Sequence, residues 1–125
     1  MSRDILLVIA VSILATSCSD GSQKQQKALN TILSWTASAE MIAEARAGRI
    51  VPETYSALAL ERCQEEVSAL LAELDDNARN DVKDIPVLIH QASEAATKED
   101  RVGVSQRLEA LRQRRAEIKN RMPRA

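Results

Sequence analysis

Apolar residues recur at intervals of three and four along most of this chain, the spacing of helices that bury one face. Between Lys27 and Ala47 the rhythm runs through Ala28, Ile32, Trp35, Ala39 and Ile42, with Leu29 and Leu33 widening the stripe. Ala37, Ala39, Ala43 and Ala45 are small enough to let a second helix approach closely. Gly48 follows, a residue that tolerates the left-handed backbone at a helix C-terminus. Pro52 is expected to open the next helix at its first position, where the missing N–H costs nothing. Over that helix Leu60, Cys63, Val67, Leu70 and Leu74 step by three and four, with Leu71 beside them. The link Gly48–Val51 allows only an antiparallel hairpin between the two.

From Asp75 to Asp84 the rhythm breaks into a polar stretch. Pro86 either starts a third helix in its first turn or kinks a continuous one, with Leu88, Ala92 and Ala95 on one side. Thr97 reads as the cap of a last helix over about 98–121. Its stripe is Val104, Leu108, Leu111, Ile118 and Met122, with Arg115 filling one step and Pro123 stopping it. No run of Val, Ile and Thr alternates as a strand would. The expected fold is all-α: a small antiparallel bundle of three to four helices over residues 27–125, large enough for one core.

Ahead of the bundle the pattern changes character. Ile5 to Ala15 is apolar apart from Ser12, follows a short start carrying Arg3 and Asp4, and exits through small residues into Cys18. That order is a secretory leader. At thirteen residues, Ile5–Ser17 is shorter than the roughly 17–25 that a membrane-spanning helix needs. Leu14-Ala15-Thr16-Ser17-Cys18 resembles the lipobox of bacterial lipoproteins. The resemblance covers residues 1–18 and implies removal of residues 1–17, acylation of Cys18, and a membrane attachment through that lipid. Ser19 after the cysteine implies, by the same resemblance, a periplasm-facing site on the outer membrane. Residues 18–26 would be the lipidated cysteine and a polar tether, holding the domain near the bilayer.

Composition then narrows the chemistry. The aromatic residues are Trp35 and Tyr55 alone, which argues against the aromatic platforms of sugar and single-stranded nucleic-acid sites. With Cys18 acylated, Cys63 has no partner for an intramolecular disulfide. His90 and Glu94 lie one turn apart but lack further metal ligands in any recognised spacing. Asp75, Asp76, Asn77, Asp81 and Asp84 lack the glycine and terminal glutamate of a calcium loop. Neither a catalytic triad nor a phosphate-binding glycine loop is present. The expectation is a non-enzymatic envelope protein with no cofactor and no nucleic-acid partner.

Charge is uneven although the net value is −1. Residues 53–100 carry 12 acidic and 4 basic side chains; residues 101–125 carry 8 basic and 2 acidic ones. Either the basic last helix lies beside the acidic second one, or it meets an anionic surface or partner outside the molecule. The candidate interaction residues are Trp35, Arg107, Arg112, Arg114, Arg115 and Lys119, toward an envelope protein or a second copy of the chain. The competing expectation is a bundle that binds a small ligand or metal around Cys63 or His90.

Overall fold

A computed structural model describes residues 2–122, and the side chains of residues 23–122. Five helices follow one another: α1 (Ser2–Ala47), α2 (Glu53–Leu71), α3 (Asp76–Val82), α4 (Ile85–Thr97) and α5 (Arg101–Arg121). Four long helices form an antiparallel bundle, and α3 is a short crosspiece between α2 and α4. Among the described residues there is no strand, and no helix is long and apolar enough to cross a membrane.

The order around the bundle is α1, α2, α4, α5 and back to α1. This ring places α2 and α5 at opposite corners. Its core takes Ile32, Ala39 and Ala43 from α1, Leu60, Cys63 and Val67 from α2, Ile89, Ala92 and Ala96 from α4, and Val104, Leu108 and Leu111 from α5. The three-four spacing therefore marks the buried face of α1, α2 and α5; on α4 the expected Leu88 is only half-buried, and Ile85 and Ile89 fill the core beside Ala92. Trp35 and Ile42 are half-buried against the core on the edge of the α1 stripe, which is centred on buried Thr36. The Thr36 hydroxyl donates to Ile32 O at 2.8 Å, so a polar residue enters the core with its bond made.

The helix ends depart from the sequence expectations in four places. Gly48 does not take the left-handed conformation; Arg49 does, at φ 58°. Ile50 N–H reaches back to Ala45 O at 2.8 Å and Arg49 N–H to Arg46 O at 2.9 Å. This is a Schellman ending whose geometry selects the residue one place beyond Gly48. Pro52 is the N-cap rather than the first helical residue, because its ψ of 150° is extended and its carbonyl accepts the first helical bond from Ser56.

Asp75–Asp84 is not a loop. Asp75 caps α3, its carboxylate accepting Ala78 N–H at 2.8 Å, and α3 buries Val82. Finally, Thr97 belongs to α4 and its hydroxyl donates to Ser93 O. Asp100 caps α5 instead, accepting Gly103 N–H at 2.9 Å. A Cβ on Gly103 would sit 2.2 Å from the Asp100 carboxylate, so glycine makes room for that cap. Pro86 lies in the first turn of α4, as expected of a separate helix.

Of the stretch read as a tether, residues 23–26 are helical and continuous with the bundle. Gln25 is already part of the packed structure: its Oε1 accepts Asp75 N–H at 3.0 Å. Pro123, expected to stop α5, lies outside the described residues, and α5 ends at Arg121.

Candidate functional site

The basic residues of α5 are arranged by the helix period. At about 3.6 residues per turn, Val104, Leu108, Leu111 and Ile118 form the buried stripe. Arg112, Arg115 and Lys119 fall on the flank toward α1, and Arg107 and Arg114 on the flank toward α4. The outward face carries Val102, Gln106, Gln113 and Asn120. The arginines therefore straddle the core rather than forming an outer basic surface.

Most of them are spent on this chain. Arg115 grips Glu40 with two nitrogens, Nε on Oε2 and Nη2 on Oε1, the second at 3.1 Å. Glu40 is 5% exposed, so α1 buries a carboxylate that only this pair and its neighbours satisfy. Arg112 Nη2 lies 3.2 Å from Glu44 Oε2, with its Nε near Glu40 as well. The bonds to Glu40 raise the Arg115 pKa above its ordinary value against the effect of burial. Arg114 donates to both oxygens of Asp84, at 3.0 and 2.8 Å, to Glu117 at 3.0 Å, and to the carbonyl of Asp81. Burial opposes its charge, but the bonds to Asp84 and Glu117 outweigh that and raise its pKa.

These pairs settle which helices share charge. The basic last helix is offset within the bundle, but by α1 and by the α3–α4 junction, not by acidic α2 at the opposite corner. Of the α5 candidates, Arg107 and Lys119 have no ion pair among the described residues. Trp35 is half-buried and packed on the core, remote in kind from an exposed anchor. Sequence reasoning missed Glu40 and Glu44, and weighed Asp84 only for a calcium loop rather than as the partner of Arg114. Only Glu40 left a trace: it stands beside Ala39 and within a turn of Ala43, inside the apolar stripe.

The remaining chemistry does not converge. Cys63 is 2% exposed, and burial pushes its thiol pKa up, which disfavours thiolate. His90 lies on the surface, its Nε2 2.9 Å from Glu94 Oε1. Cys63 and His90 thus belong to different environments, one in the core and one outside. Among the described residues no group of three or more His, Cys, Asp or Glu side chains is placed to hold a metal ion. The Cys18 side chain lies outside the described residues.

Two ends of the bundle are distinct. The α1–α2 and α4–α5 turns meet at one end, where Ile50, Tyr55 and Val102 are largely exposed. There the neighbouring Glu99 carboxylate raises the Glu53 pKa, and Arg46 lies 3.9 Å from Glu99. At the other end, α1, α3 and α5 enclose a cleft with an apolar floor. Compared with protein-family models, curated proteins and solved structures, the chain has no significant match to any.

Proposed function

We propose that this chain is a lipid-anchored, non-enzymatic component of a bacterial cell envelope, attached through Cys18, whose bundle engages a protein partner. The order of residues from Ile5 to Cys18 carries the reading. The bundle adds support by geometry. From Gln23 to Ala47, α1 rises on the order of 35 Å from the end that follows Cys18 in sequence. Anchored there, the turn end with Ile50, Tyr55 and Val102 is the part held farthest from the bilayer. Exposed apolar side chains at such a tip suit contact with another protein.

The test is crosslinking of the tagged full-length chain in cells, followed by recovery from the membrane fraction and mass spectrometry. A reproducible protein partner, lost when Cys18→Ala releases the chain from the membrane, is the expected result. Recovery of the chain alone, or an unchanged membrane fraction with Cys18→Ala, would count against it. The outer membrane is the expected address, read from which membrane fraction holds the acylated chain.

A further inference from the structure

The end of the bundle nearest Cys18 carries the cleft between α1, α3 and α5, about 240 Å³ in volume. Its floor is made of core residues: Val82 and Ile118 are buried, and Leu29, Ala78 and Met122 pack against them. The apolar surface open at the mouth belongs to the partly buried Leu29, Ala78 and Met122. The rim carries charge of both signs. Arg121 Nη1 stands 3.9 Å from Asp81 Oδ1, and the two side chains are 60% and 57% exposed. Asp75 adds a second carboxylate, whose pKa the Ala78 N–H it accepts holds below the ordinary value.

An apolar floor beneath a mouth bearing one guanidinium and nearby carboxylates matches an amphiphile with a zwitterionic head. A guanidinium pairs well with phosphate, and a carboxylate pairs with an ammonium. A purely anionic head would leave Asp81 and Asp75 facing like charge, and a purely cationic one would oppose Arg121. Position argues the source. Gln25, on the wall of the cleft, is seven residues from Cys18 in sequence, a reach of at most about 25 Å.

We propose that the cleft takes a segment of one acyl chain of a zwitterionic membrane phospholipid, with the phosphate on Arg121 and the ammonium on Asp81. The proposal rests on the Cys18 anchor for its access to lipid, and the bundle end is thereby seated on the bilayer as well as tethered to it.

The experiment uses the full-length chain in cell membranes supplied with a phosphatidylethanolamine that carries a diazirine on its acyl chain. After illumination, labelled peptides are mapped by mass spectrometry. Label is expected on peptides containing Leu29 or Ile118–Met122. It should fall about tenfold with Arg121→Glu, which repels the phosphate from an exposed position. Ala78→Phe, which fills the cleft, should do the same. Label spread evenly along the chain, or insensitive to Arg121→Glu, would overturn the cleft as the site. Equal labelling by a phosphatidylglycerol probe would overturn the zwitterionic assignment. Incorporation of an alkynyl fatty acid at Cys18, measured in the same cells, separates the two readings. Intact acylation without cleft label sinks the cleft alone; cleft label without acylation sinks the anchor alone.

Discussion

Arg49 and Glu99 both hold positive φ, at 58° and 55°, where a side chain crowds its own backbone. Each closes a Schellman ending, since Asp100 N–H also reaches Ala95 O at 3.0 Å. Glycine relieves the crowding but gives the unfolded chain more freedom. Because Arg49 makes no ion pair in the described structure, Arg49→Gly is expected to stabilise by about 0.5–1 kcal/mol, read by urea unfolding. Beside it, the raised pKa of Glu53 has a definite sign. A carboxyl with a raised folded pKa costs stability when ionised, and that cost vanishes below the unfolded value. Glu53→Gln should therefore melt higher than the natural chain near pH 7, and the gap should close as pH falls through the ordinary carboxylate range. A gap that is constant with pH would show that the Glu53–Glu99 contact does not titrate.

At the scale of elements, the α1–α5 contact turns on Glu40. Removing Arg115 leaves that carboxylate buried with only the more distant Arg112 for company. Arg115→Ala is expected to destabilise by about 2–4 kcal/mol, the lower part of the range reflecting the partial exposure of the arginine. Replacing both Glu40 and Arg115 by leucine should come near neutral, because no charge is then left unpaired. Denaturant midpoints of the two single variants and the double variant close this cycle. A double variant as unstable as Arg115→Ala would mean that the pair fixes the packing of α1 on α5 rather than merely satisfying itself. Such a cost at Arg115 also bears on any binding study. Reversing Arg112, Arg114 and Arg115 would disturb the bundle first and any partner second.

For the whole molecule, charge is segregated by topology. Because α2 and α5 occupy opposite corners, Glu61 and Glu65 on α2 have no ion pair among the described residues, while Arg107 and Lys119 remain available on α5. The double reversal Arg107→Glu with Lys119→Glu touches no internal pair. It is expected to change stability by no more than about 0.5 kcal/mol. If α5 meets an acidic partner or an anionic membrane, the same variant weakens that association and its dependence on salt. Co-purification at two ionic strengths, beside a melting curve, reads both effects. Association unchanged by the reversal would move the contact to the apolar tip at Ile50, Tyr55 and Val102.

What the chain declares by itself is local. A repeat of three and four places an apolar stripe on one helix face whatever the helix packs against, so the all-α bundle and the core faces of α1, α2 and α5 were legible, while Val82, Ile85 and Ile89 were not. The lipobox resemblance at Cys18 is likewise a matter of consecutive residues. Helix α3 hid because seven residues with one buried valine are too short to show a period. The helix caps shifted by one to three places because backbone geometry, rather than residue preference alone, chose Arg49 and Asp100. The partners of the arginines depended on which helices became neighbours. Nothing in the spacing of α5 says that Arg115 will find Glu40, or that the acidic second helix will stand diagonally across the core. Those facts, and the cleft where α1, α3 and α5 meet, exist only once distant segments share a surface.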